Sequence, residues 1–255
     1  MITKRFFSKI IKNYKQVYFV RHGVTDWNKL GISQGVEADI PINKEGEEQI
    51  KKTGFYLKNY RQKDGEFDSI ISSHLIRASK SASIISNILN MENHKVHSFN
   101  FISELKKGKF SGLSKNNKLV TDVNNLTQNY KNNLIDPIEK YKLELPSETC
   151  KFNSSYIYKN LENLYFETYQ EYNKRCKMLK NFLKNSSHNK IIIVSHDGFM
   201  KMFFKIYFSL STLPFGCMKN GTNCWISYCL YDKDNDNFIM VSPPNTEHLS
   251  LDCKY

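Results

Sequence analysis

Lys190-Ile-Ile-Ile-Val-Ser195 carries an unbroken apolar run of β-branched residues over Ile191–Val194, and the segment stops at a histidine. A run so short, with no polar face to turn toward water, predicts a strand buried on both sides, as in the interior of a parallel sheet. Val17-Tyr-Phe-Val20 is a second run of this kind and stops at Arg21-His22-Gly23. Phe67 to Ser72 reads as a third strand, Phe99 to Leu105 as a fourth and Asn223 to Tyr231 as another. A turn follows over Asp232–Asn237, and Phe238 to Val241 closes the series.

Helical periodicity lies between the strands. Asn43 can cap a helix through Gln49 to about Tyr60, with Glu45, Glu47 and Glu48 in its early turns, where the helix dipole favours acids. Ser73 to Leu89 places Leu75, Ala78, Ala82, Ile85 and Leu89 on one side. A helix from about Leu164 to Lys184 turns Leu164, Tyr165, Tyr169, Tyr172, Cys176, Leu179 and Phe182 inward, and Gly198 to Ser209 reads as another. Strands alternating with helices predict an α/β fold, a three-layer α/β/α sandwich with a mostly parallel central sheet. In such sheets ligand groups collect just past the carboxyl ends of the strands, where Arg21, His22 and His196 fall.

The chain reads as one domain over 17–255, with a basic segment over 1–16 and a low-complexity insertion over about 114–163 rich in Asn and Lys. In the first segment Phe6, Phe7, Ile10, Ile11 and Tyr14 share one helical face, ringed by Lys4, Arg5, Lys9, Lys12 and Lys15, with no acidic residue. A mitochondrial transit peptide, a membrane-surface helix, a helix docked on its own domain and a frayed tail all fit that pattern. No stretch reaches the roughly 20 apolar residues of a membrane span.

The formal charge is +12, yet only five of the 37 basic residues are Arg: Arg5, Arg21, Arg61, Arg77 and Arg175. A chain that uses Lys by default and keeps Arg at a few points has reason to need the guanidinium fork there, which grips phosphate with two hydrogen bonds. The positive charge also raises the idea of a nucleic-acid binder. That would require a basic stripe interleaved with exposed aromatics, and no block of six basic residues occurs. Nucleic acid is therefore not among the expected partners. The six Cys have no Cys-x-x-Cys spacing, no His sits at zinc-ligand spacing, and reduced thiols in a cytoplasmic protein are expected.

Three segments combine: Arg21-His22-Gly23-Val24-Thr25-Asp26-Trp27-Asn28, Ser72-Ser73-His74-Leu75-Ile76-Arg77-Ala78 and Val194-Ser195-His196-Asp197-Gly198. Together they resemble the first branch of the histidine phosphatase superfamily, the phosphoglycerate mutase-like enzymes. Gln34-Gly35, Asp39-Ile40-Pro41 and Gly46-x-x-Gln49 match the run after the first motif. Glu104-Leu-Lys-Lys-Gly108-Lys-Phe110-Ser-Gly112 looks like the segment carrying the proton donor. Pro146-Ser147-Glu148-Thr149 and Arg175 resemble later Gly-Glu-Ser and Arg positions.

The resemblance implies that His22 attacks phosphorus and becomes a phosphohistidine. Arg21, Arg77 and His196 would hold the phosphoryl oxygens with Asn28 donating from the side, and Gln34 and Gly35 would bind substrate. Glu104 would be the general acid, carrying its proton at neutral pH until the leaving oxygen takes it. No metal or other cofactor is implied, because two Arg and a second His supply the positive field. The chain departs from the pattern at Asp197, where Gly is common, at Ser111, where an acid is frequent, and at Pro146, where Gly is usual.

Within the family one pocket can hydrolyse a phosphomonoester or pass phosphate between hydroxyls. The cofactor-dependent mutases carry Glu-Arg-His-Tyr-Gly where this chain has Glu104-Leu-Lys-Lys-Gly108, and an adjacent Arg pair that this Arg-poor chain lacks. A phosphatase acting on small phosphorylated substrates is therefore the expectation. Lys106, Lys107 and Lys109 are candidates for holding a second anionic group. Phosphoglycerate mutase dependent on 2,3-bisphosphoglycerate is the first alternative and phosphoprotein phosphatase the second. A homo-oligomer is left open.

Overall fold

The computed structural model describes residues 14–62, 65–114, 116–117, 167–208 and 222–250. The chain falls into two compact units: residues 1–26, 39–104 and 172–255 form the first, and 27–38 with 105–171 the second.

The first unit is built on a six-stranded sheet. Its strands are β1 (Tyr14–Arg21), β2 (Ser69–Ser73), β3 (Val96–Phe99), β4 (Lys190–Ser195), β5 (Ile226–Asp232) and β6 (Asn237–Asn245), in the order β3-β2-β4-β1-β5-β6. β1, β4, β2 and β3 are parallel neighbours, while β5 runs antiparallel to both β1 and β6, so the sheet is mostly parallel. Among the described residues four longer helices accompany it: α1 (Lys44–Tyr56), α2 (Ile76–Ile88), α3 (Tyr169–Asn185) and α4 (Asp197–Tyr207).

Side-chain alternation along β1 sorts the helices into layers. Tyr18 and Val20 join Ile70, Ile192 and Val194 in a cluster with Ile50 of α1 and Ala78, Ala82 and Ile85 of α2. Phe19 points the opposite way and meets Phe203 and Phe204 of α4 at 5.4 and 5.0 Å between ring centroids. Arg175 of α3 lies over the Phe199 ring of α4. The expected three-layer α/β/α arrangement is present.

Several boundaries move, each for a local reason. β1 starts at Tyr14 rather than Val17, because Gln16 pairs with Lys190 and Lys15 is buried, donating to the carbonyls of Ser186 (2.6 Å) and His188. Burial, then nearby Lys233, lowers the Lys15 ammonium to about 8. β2 runs on through Ser73, and its helix waits until Ile76, whose N–H donates to Asp39 Oδ1 at 2.7 Å. His74 is thus on an exposed turn rather than a helix surface. β3 ends at Phe99 instead of beginning there, since Asn100–Ile102 turns as a 3₁₀ helix. β5 begins at Ile226, after Cys224 takes a left-handed φ of 60° that interrupts extended backbone. β6 extends to Asn245, and α3 buries Leu183 more deeply than Phe182. Leu164, Tyr165, the Pro146–Thr149 segment, most of the insertion and residues 1–13 lie outside the described residues.

In the second unit, residues 27–38 lie along 105–114. Ser33 N–H donates to Leu113 O (2.9 Å), Gly112 N–H to Ser33 O (2.8 Å) and Val36 N–H to Leu105 O (3.1 Å). Glu37 caps the next turn, accepting from Lys107 N–H at 3.1 Å and Gly108 N–H at 2.8 Å.

Candidate active site

In the β1–β4 ladder Arg21 faces Ser195, so the next residue of each strand, His22 and His196, leaves the sheet side by side. Their ring centroids are 5.1 Å apart. Both are buried, at 2% and 0% exposure. The pairing of two histidines 174 positions apart follows from the register of two adjacent strands.

His22 is held by its own neighbourhood. Its Nδ1 lies 2.8 Å from the Gly23 carbonyl. A carbonyl only accepts, so Nδ1 carries the proton and Nε2 keeps its lone pair. Asn223 Nδ2 donates to the carbonyls of His22 (3.1 Å) and Gly23 (3.2 Å), bracing the acceptor that sets this tautomer. Ser81 Oγ accepts Gly23 N–H at 3.1 Å, and Gln49 Oε1 accepts Val24 N–H at 3.3 Å. Burial first, then Arg77 and Arg21, holds His22 well below the usual histidine range.

His196 is the N-cap residue of α4, and both its ring nitrogens are buried with no hydrogen-bond partner among the described residues. An uncompensated buried polar group is costly, and a site that binds an anion at a helix N-terminus is one place where it is tolerated. Its pKa is also well below the ordinary value, through burial, then Arg77 and His22. Arg21 closes β1, and Arg77, at 1% exposure, sits in the first turn of α2. Burial lowers both guanidiniums, opposed most by Asp197 at Arg21 and by Glu104 at Arg77. Glu104 is half-buried. The first unit therefore gathers His22, His196, Arg21, Arg77 and Glu104.

Asn28, Gln34 and Gly35 belong to the second unit. Asn28 O accepts Gly31 N–H at 3.2 Å, and Gln34 O accepts Ser111 Oγ–H at 2.6 Å. Gly35 has φ +62°, and a Cβ there would fall 2.8 Å from the Lys107 side chain. Ser111, where an acid is frequent, is thus a backbone tie. Lys106 pairs with Glu171 at 3.6 Å. Asp197, another of the three departures, does not bond to His196. Its carboxylate accepts Trp225 Nε1–H at 3.1 Å and pairs with Lys201 at 2.7 Å.

Gly23 in the first motif and Gly46 beyond it have a packing reason. A Cβ on Gly46 would lie 2.3 Å from Val24 O, and one on Gly23 would lie 2.6 Å from Gly46 O. Backbone meets backbone on both sides, so neither can yield. Gly46→Ala is expected to destabilise the fold by about 3 kcal/mol, the upper end for overpacking. Urea denaturation of this variant beside an exposed control such as Lys177→Ala would read the difference.

Asn223 and Ser81 were not foreseen from sequence. Asn223 stood only as the start of a strand and Ser81 only as a helix residue, and nothing in either local pattern signals a tie to a loop so distant in sequence.

Among the described residues no helix is long and apolar enough to cross a membrane, and no group of three or more His, Cys, Asp or Glu is placed to hold a metal ion.

The family model for the histidine phosphatase superfamily (branch 1) matches residues 17–142. The uncharacterized phosphatase PhoE of Bacillus subtilis is 43% identical over 75 residues, 29% of this chain and 36% of PhoE. A 2,3-bisphosphoglycerate-dependent phosphoglycerate mutase of Methanococcus vannielii is 38% identical over 81 residues, 32% of this chain and 30% of the mutase. The match thus spans about a third of each relative's length. Among solved structures, phosphoglycerate mutase from Bacillus anthracis superposes with a TM-score of 0.64 over 93% of this chain and 96% of its own, at 19% identity, a likeness of fold.

Proposed function

We propose, since the chain belongs to the histidine phosphatase superfamily (branch 1), that it hydrolyses phosphomonoesters through a phosphohistidine on His22. The observation that carries this is the orientation of His22: Nδ1–H tied to the Gly23 carbonyl, Nε2 with its lone pair, and Arg21, Arg77 and His196 gathered around it. A buried imidazole held below its ordinary pKa is neutral at pH 7 and ready to attack.

In the first step Nε2 forms a bond to phosphorus and the ester P–O bond breaks. The leaving oxygen takes a proton from Glu104. In the second step water attacks phosphorus, Glu104 takes back a proton and the P–N bond breaks, which returns neutral His22 and inorganic phosphate. Arg21, Arg77 and His196 face the charge that builds on the phosphoryl oxygens. Such preorganised donors in a buried site act where charge develops. That field is also why the proposal needs no metal, so chelation with EDTA should leave the rate unchanged.

Small soluble phosphomonoesters are the proposed substrates. The buried thiols of Cys176, Cys224 and Cys229 agree with the cytoplasm as the proposed compartment. The likeness to a phosphoglycerate mutase sustains the competing reading that phosphate passes to a second hydroxyl.

Rapid acid and alkaline quenching of enzyme mixed with radiolabelled phosphomonoester tests the proposal. A protein-bound phosphate that survives alkali and is lost in acid is expected, together with stoichiometric inorganic phosphate. Alkali-labile label, or turnover with no label at all, would overturn the histidine nucleophile. Phosphate recovered mainly on a second sugar or glycerate hydroxyl would favour the mutase reading.

A further inference from the structure

We propose that Arg175 is the positioning residue for the general acid Glu104, an inference that rests on the reading of Glu104 given above. The backbone before Glu104 is secured carbonyl by carbonyl. Arg175 Nη1 donates to Phe101 O at 3.2 Å and to Ser103 O at 2.7 Å. Between them, Ile102 O accepts Ser195 Oγ–H at 2.6 Å, from the residue that precedes His196. Ser103 Oγ accepts from Ser73 Oγ at 3.3 Å and lies 2.9 Å from His74 Nδ1. Three successive peptide oxygens are thus claimed by side chains of α3 and β4, and Glu104 is the next residue.

The guanidinium is itself held. It lies over the ring of Tyr172, one turn before it in α3, with 4.9 Å from Cζ to the ring centroid. It also lies over Phe199 of α4, at 5.1 Å. Tyr172 and Phe199 are both buried. A planar cation seated on two rings can aim one nitrogen at two carbonyls and stay there, which a flexible ammonium does less well. Arg175 acts on the backbone, so its effect on turnover passes through the placement of the Glu104 carboxyl.

A general acid matters in proportion to how much the leaving group needs a proton. An alkyl phosphate must expel an alkoxide, whereas p-nitrophenyl phosphate expels a stabilised phenolate unaided. Misplacing a catalytic group by about 1 Å costs roughly 10²-fold. Arg175→Met is therefore expected to lower kcat on an alkyl phosphate such as glycerol phosphate about 10²-fold, and kcat on p-nitrophenyl phosphate less than about threefold. Arg175→Lys keeps the charge and offers one nitrogen, and should show the same selectivity at about tenfold. It carries the test if the Met variant does not fold.

Glu104→Gln, assayed beside them, separates the two claims. If it is selective for the alkyl ester and the Arg175 variants lose both substrates equally, Arg175 is structural and the proposal is wrong. If Glu104→Gln itself shows no selectivity, the general-acid reading fails and the proposal falls with it. Selectivity in both sets of variants supports both claims.

Discussion

His22→Ala is expected to lower kcat/KM for phosphomonoesters by about 10⁴-fold or more, at least ~5 kcal/mol of transition-state stabilisation. The loss is large because no other group can do the same work. His196, 5.1 Å away between ring centroids, is the only other imidazole in contact with His22 among the described residues, and it leaves from a different strand. The fold should survive, since the His22 backbone N–H to Ser195 O bond (3.1 Å) and the Gly23–Gly46 contact do not involve the imidazole. Urea denaturation of the variant would verify that, and steady-state assays would give the rate. Arg77→Ala should cost less, about 10³-fold, as the loss of one preorganised donor does. The double variant His22→Ala/Arg77→Ala should be barely worse than His22→Ala alone, because groups that act as a unit are not additive. A His22→Ala enzyme retaining more than about a hundredth of wild-type turnover would rule out His22 as nucleophile.

Between pH 6.5 and 5 the fold should lose stability, by up to about 5 kcal/mol, from His22, His196 and His248 together. Each is buried and held below the ordinary histidine pKa, His248 at about 4 by burial alone. His248 lies in the C-terminal 3₁₀ turn, with Nε2 3.0 Å from Thr53 Oγ of α1. Below pH 6.5 the unfolded chain takes up protons at these three sites and the folded chain does not. Stability therefore falls as pH falls, by up to about 1.4 kcal/mol per unit for each histidine. The contribution of His248 stops growing near pH 4. The carboxylates with lowered pKa values, Glu47, Glu171, Asp232 and Asp236, act in a lower window. They stabilise the fold above their ordinary pKa and lose that contribution only on further acidification. Urea denaturation at pH 7.5, 6.5 and 5.5 would show the trend, and His248→Gln should remove about a third of its slope. A stability that stays flat over this range would mean the histidines take up protons within the fold. An expected loss of this size is comparable to the total stability of an ordinary domain, about 5–15 kcal/mol.

Much of this arrangement was legible before the structure. Two apolar runs ending in histidine were enough to predict buried parallel strands and a site at their carboxyl ends, because burial on both faces leaves a continuous hydrophobic signature. Scarcity made Arg21 and Arg77 visible: in a chain that defaults to Lys, an Arg stands out. What stayed hidden was everything carried by backbone geometry. The register that sets Arg21 opposite Ser195 leaves no mark in either strand alone. Asn223 acts through carbonyl oxygens, which every residue has. The strand expected over Phe99–Leu105 shows the same limit. Its apolar residues suit a strand, but the carbonyls of residues 101–103 are taken by side chains of Arg175 and Ser195, so the segment turns. Asp197 could be seen as a departure, but that it pairs with Lys201 and Trp225 depended on the geometry of α4 and the start of β5.

The side-by-side departure of His22 and His196 from β1 and β4 makes the site a ruler that chain length cannot stretch. Neighbouring strands lie about 4.8 Å apart whatever connects them. Residues can be added or removed in the connections between β1 and β4 without altering the gap between nucleophile and partner. What a lineage changes when it rewrites those connections is the company the phosphoryl group keeps, while the span in which the group is handled stays the same.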